Sequence, residues 1–64
     1  MFRCDLVRDG RTEVRENLTA ETLDQAIAAS HNLLNSRSAS ENFRGIEIWD
    51  GAVLVYDFGE PAFG

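Results

Sequence analysis

The 64-residue chain carries eleven acids against six bases, a net charge of −5, with a single cysteine and a single histidine. A chain of this length makes one small domain, which buries only about 60% of the surface that its unfolded form exposes. One cysteine excludes an intramolecular disulfide, one distant Cys/His pair offers no metal-ligand spacing, and no apolar run approaches the roughly 20 residues that span a bilayer.

Small scaffolds commonly need a staple. With disulfide and metal set aside, association with a second chain is the expected one. All six bases are arginine, a usage expected of a high-GC bacterial genome. No basic segment followed by an apolar one opens the chain, so the expected location is cytoplasmic.

The first hairpin spans 2–17, "FRCDLVRDGRTEVREN". Period-2 alternation places Phe2, Cys4 and Leu6 on one face and Arg3, Asp5 and Val7 on the other. A two-residue Asp9-Gly10 loop would set Leu6 opposite Glu13, mixing apolar and charged sets. A three-residue loop, Arg8-Asp9-Gly10, with a bulge at the glycine sets Cys4 opposite Val14 and Leu6 opposite Thr12. Burial of one face selects the second form.

The helix is expected over 22–37. Thr22 with Gln25 fits a capping box, and Asp24 near the start and Arg37 near the end suit the helix dipole. Leu23, Ala26, Ile27, Ser30, Leu33 and Leu34 form one stripe, with Asp24, Gln25, Ala28, Asn32 and Asn35 facing outward. The helix is expected to fade at Ser36–Ser38 into a polar loop.

The second hairpin spans 44–58, followed by a tail over 59–64. An Asp50-Gly51 loop pairs Ile48 with Val53, Ile46 with Val55 and Arg44 with Asp57; a three-residue loop pairs Ile46 with Leu54. The first is preferred, because it gathers four β-branched residues under the helix. It leaves a second apolar set, Trp49, Ala52, Leu54 and Tyr56, extending to Phe58. A patch of this kind marks a contact surface unless other chain covers it. Two covers stay open: a second chain, or the tail through Pro61 and Phe63. The expected interface residues are Trp49, Leu54, Tyr56 and Phe58. The doubly apolar fourth strand points to a central place in the sheet or an inter-subunit position.

Candidate sites read mostly as structure. Cys4 alternates with Phe2 and Leu6 and reads as core. His31 lies on the flank of the helix stripe, with no nucleophile or orienting acid nominated beside it. Asp9-Gly10 and Asp50-Gly51 are turn chemistry. The glycine spacings fit no phosphate-binding loop. No catalytic, cofactor-binding or metal-binding residues are nominated, and no cofactor is expected. Arg3, Arg8, Arg11 and Arg15 share the first hairpin with Asp5, Asp9, Glu13 and Glu16, so that segment is neutral and nucleic-acid binding is disfavoured.

The segments "LVRDG", "TLDQAIAAS" and "IEIWDGAVLVY" together resemble a domain family of short bacterial proteins of unknown function. "FRCDL" stands here where that family has an aromatic run. The resemblance implies a compact ββαββ domain and brings no activity. The expected fold is α+β, a four-stranded, mostly antiparallel sheet with one helix on one face. The expected role is a small non-catalytic interaction module, homodimeric through the second hairpin. The alternative is a nucleic-acid-associated regulator or antitoxin-like domain.

Overall fold

A computed structural model describes residues 1–62. The order is β1 (Phe2–Arg8), β2 (Arg11–Asn17), α1 (Leu23–Glu41), β3 (Gly45–Asp50) and β4 (Val53–Gly59). The strands form one antiparallel sheet, β2-β1-β3-β4. The expected α+β, ββαββ fold is the fold found. Both hairpins place their first strand inside and their second at an edge, so β4 is not central.

The β1–β3 pairing explains that order. It sets Leu6 opposite Ile46 and Cys4 opposite Ile48, and all four are fully buried. On the helix, Ala26 and Ser30 are equally buried, and their small side chains let the axis lie close over β1 and β3. Leu34 and Phe43 complete the core. β2, with Arg11, Glu13, Arg15 and Glu16 among its seven residues, would desolvate unpaired charge if it were inside the sheet.

The first turn differs from expectation. Asp9 and Gly10 both have positive φ, 54° and 75°, the pattern of a two-residue type I′ loop. Arg8 therefore faces Arg11, and Val7 faces Thr12. The bulge falls one step later, at Glu13, and brings Leu6 opposite Val14 and Cys4 opposite Glu16 rather than Val14. The facing of the strands is as expected, because a bulge inside β2 corrects the side-chain parity as well as one at the turn.

The helix starts as expected: Thr22 is the N-cap, and its Oγ1 accepts from Gln25 N at 3.2 Å. Gln25 Oε1 in turn accepts from Glu21 N at 2.9 Å. The helix end is corrected. It runs on through Ser36–Ser38 to Glu41, and Asn42 closes it in the left-handed region with its N–H on the Ser38 carbonyl at 3.2 Å. Arg8 of β1 donates to the Glu41 carbonyl at 2.7 Å and lies over Phe43 at 5.1 Å. A cation from another element thus meets the helix C-terminus, while Arg37 sits a turn earlier, paired with Glu41 at 3.5 Å.

The second hairpin slips relative to both expected registers. Its two-residue loop is Gly51-Ala52, and Asp50 faces Val53. Only Gly51 has positive φ there, 61°, as a type II′ turn requires. Trp49 faces Leu54, a one-residue bulge follows at Val55, and Ile48 then faces Tyr56 and Ile46 faces Phe58. Asp57 faces Glu47, so the expected Arg44–Asp57 pairing is absent. Freed from the turn, the Asp50 carboxylate takes the N-terminal ammonium at 3.3 Å.

After β4 the chain turns back at Gly59 (φ 78°), and Glu60 N donates to the Arg44 carbonyl at 3.1 Å. A β-carbon on Gly45 would run into the Glu60 carbonyl oxygen. Glu60 therefore lies against the face away from the helix at the Gly45 end of β3. Trp49, the expected target of tail cover, lies at the other end. Pro61 is exposed, and the expectation for Phe63 falls outside the described residues.

Candidate contact surface

The bulge at Val55 divides the four expected interface residues between two faces. Trp49 and Leu54 oppose each other on the face away from the helix. Tyr56 and Phe58 lie on the helix side. There His31 Nε2 and Tyr56 Oη are 3.0 Å apart, and the His31 ring meets Phe58 edge-to-face at 4.7 Å between centroids. The four do not make one patch. Val53, expected under the helix, is instead the most exposed of the large apolar residues of the strand at 62%.

The face away from the helix is not bare. The Arg3 guanidinium stacks over the Trp49 ring at 5.6 Å, and the indole N–H donates to Glu47 at 3.3 Å. Arg3 also grips the Asp5 carboxylate with two bonds, 2.9 and 3.3 Å. Arg15 stands 4.0 Å from the same carboxylate across the strand pair. Asp5 is only 3% exposed, and its pairing is what makes that burial tolerable. Sequence reasoning set Asp5 on the outer face beside Arg3 and counted it toward a neutral hairpin; its burial was not foreseen. The signal was present: an arginine two residues away on the same face and another on the neighbouring strand.

What stays uncovered is an edge rather than a face. Among the described residues the exposed large apolar side chains are Met1, Leu23, Val53, Leu54 and Phe58. Three of the five are on β4, at 62%, 42% and 50%. β4 pairs with β3 alone, so its other side presents backbone N–H and C=O groups along an open edge.

The remaining titratable groups suggest no chemistry. Cys4 is fully buried, and burial pushes its thiol pKa up; the Ser30 hydroxyl pulls it down, and Asp5 and Glu16 push it further up. Ser30 Oγ has no partner of full hydrogen-bond geometry, so its contact with the thiol is a weak one. A buried thiol with a raised pKa is unreactive. Asp5, Glu47 and Asp57 follow one another across three strands, yet no group of three ligating side chains among the described residues is arranged to hold a metal. A shallow groove lined by Leu18, Ala20, Gln25 and Ala29 lies between the β2–α1 connection and the helix; no catalytic pair faces it. No described helix is long and apolar enough to cross a membrane.

Comparison with protein-family models, with curated proteins and with solved structures finds no match.

Proposed function

We propose that this protein is a small interaction module without catalytic chemistry of its own, and that it works by contact with another polypeptide along β4. The observation behind this reading is the clustering of exposed apolar side chains on one edge strand. In a domain so short of core, three large apolar groups left in water are better explained by a contact than by the fold. The sequence-level alternative, a nucleic-acid-associated regulator, draws on the arginines of the first hairpin. Arg3 is held by Asp5, Arg8 by the Glu41 carbonyl with Glu13 at 3.9 Å, and Arg15 lies beside Asp5. Such engaged cations favour the protein-contact reading over phosphate neutralisation.

The test separates contact residues from fold residues. Val53→Thr and Leu54→Gln together are expected to leave stability to denaturant within about 0.5 kcal/mol of the parent, as substitutions outside the core do. A loss of about 2 kcal/mol or more, the size expected of lost burial, would mean that these side chains serve the fold and that β4 is no contact strand.

A further inference from the structure

The exposed apolar side chains of β4, Leu54 on the face away from the helix and Val53 and Phe58 on the other, sit within an acidic hairpin. Residues 45–60 contain Glu47, Asp50, Asp57 and Glu60 and no basic residue, a net charge of −4 from four acids and no bases. Asp50 adjoins one end of β4, Glu60 follows the other, and Asp57 lies on the strand itself. The strand carries no proline or lysine, two common devices against strand addition. Together these features describe a partner: an extended backbone to complete the hydrogen bonds, apolar side chains to cover Val53, Leu54 and Phe58, and positive charge to meet the acids.

We propose that β4 receives an extended segment of another protein as a fifth strand, and that this segment carries arginine or lysine among apolar residues. The proposal rests on the reading of β4 as the contact strand. Strand addition supplies affinity through main-chain hydrogen bonds and specificity through alternate side chains. Opposite charge at the rim steers encounter and rejects like-charged competitors. A second copy of this chain, the homodimer expected from the domain's size, fits less well. Antiparallel self-pairing of β4 would bring the Asp50 end of one hairpin to the Glu60 end of the other, twice, between molecules each carrying −5.

The full chain, isotope-labelled, is titrated with a short synthetic peptide of alternating valine and threonine flanked by arginines. The control is the same peptide with glutamate at the arginine positions. The expected result is saturable amide shifts concentrated at residues 53–59, weakened several-fold by high salt and by Asp57→Asn with Glu60→Gln, and absent with the glutamate peptide. Equal binding of both peptides, no shift at β4, or shifts confined to β2 would overturn the proposal. So would β4 shifts that depend on protein concentration alone, with sedimentation showing a dimer that Leu54→Asp dissolves. That last outcome puts a second copy on the strand and leaves the contact reading standing; the stability test on Val53 and Leu54 decides that reading separately.

Discussion

β2 and β4 are the two edges of one sheet, each seven residues long, each joined to an inner strand by a two-residue turn, each interrupted by one bulge. Apart from the turn type, I′ before β2 and II′ before β4, backbone layout does not distinguish them. Side chains do. β2 alternates charge of both signs, Arg11, Glu13, Arg15 and Glu16, and turns Val14 toward the core. A strand docking there would have to desolvate those charges. β4 carries Asp57 alone and leaves Val53, Leu54 and Phe58 in water. One edge is closed to further pairing and the other is open, a difference made by about four residues on similar scaffolding.

If only the inner strands carry the fold, their truncation must cost far more than change at β4. Ile48→Ala is the strongest form of this contrast. Ile48 is fully buried between Cys4 and Tyr56 in the register, and removing its outer carbons is expected to cost about 2–5 kcal/mol. Urea midpoints read the difference directly. A cost below about 1 kcal/mol would place Ile48 outside the tight core and blur the distinction between inner and edge strands.

The next effect concerns how β4 is anchored. Gly45→Ala sets a methyl group against the Glu60 carbonyl, which is backbone and cannot swing aside. Either the tail or the β3–β4 pairing must yield, at about 1–3 kcal/mol. Hydrogen exchange should show faster amides at the Gly59 end of β4 and unchanged amides in β2. Uniform loosening of both edges would mean that the tail stabilises the sheet as a whole.

Much of this layout was legible in the chain. Turn chemistry gave two hairpins, Thr22 marked the helix start, and the stripe through Ala26, Ser30 and Leu34 marked its buried side. The misreadings share a cause: each depended on a contact from elsewhere. The helix outlasts Ser38 because Asn42 caps it and Arg8, thirty-three residues away, meets its last carbonyls. Bulges at Glu13 and Val55 let the sheet correct side-chain facing away from the turns, and local preference cannot locate them when cross-strand pairs differ by only about 0.2–1 kcal/mol. The bulge at Val55 then moved Tyr56 and Phe58 to the helix side, so the expected four-residue patch was never assembled.

Cys4 extends the contrast to pH. It sits on inner strand β1, where burial first and the acids Asp5 and Glu16 afterwards raise its pKa. Below the pKa of the unfolded thiol, about 8.5, both states hold the proton and stability is unaffected. Above it the unfolded chain loses the proton while the folded chain keeps it, so stability falls as pH rises towards the folded value. The slope is at most about 1.4 kcal/mol per pH unit for one site. Cys4→Ala should remove that component of alkaline destabilisation, measured as the difference between denaturation midpoints at neutral and alkaline pH. An unchanged alkaline slope in the variant would show that the thiol titrates alike in both states.

The smallest effect tests the register on which the exposed edge depends. Gly51 has φ 61° with open space where a β-carbon would stand, so substitution there meets only backbone strain. Alanine is expected to cost about 1 kcal/mol. Asparagine, which visits the left-handed region more readily, should cost less. The ordering matters more than the size. In a type II′ loop Gly51 is the first central residue and Asp50 still faces Val53. In the Asp50-Gly51 loop read from the sequence, Asp50 would leave the strand and Trp49 would face Ala52. Nuclear Overhauser contacts between the Asp50 and Val53 backbones in the parent, retained in Gly51→Asn, identify the first form. Contacts between Trp49 and Ala52 instead would shift the start of β4 by two positions along its partner. Val53 and Leu54 would keep their faces, opposite Ile48 and Glu47, while Tyr56 and Phe58, with no bulge before them, would leave the helix side.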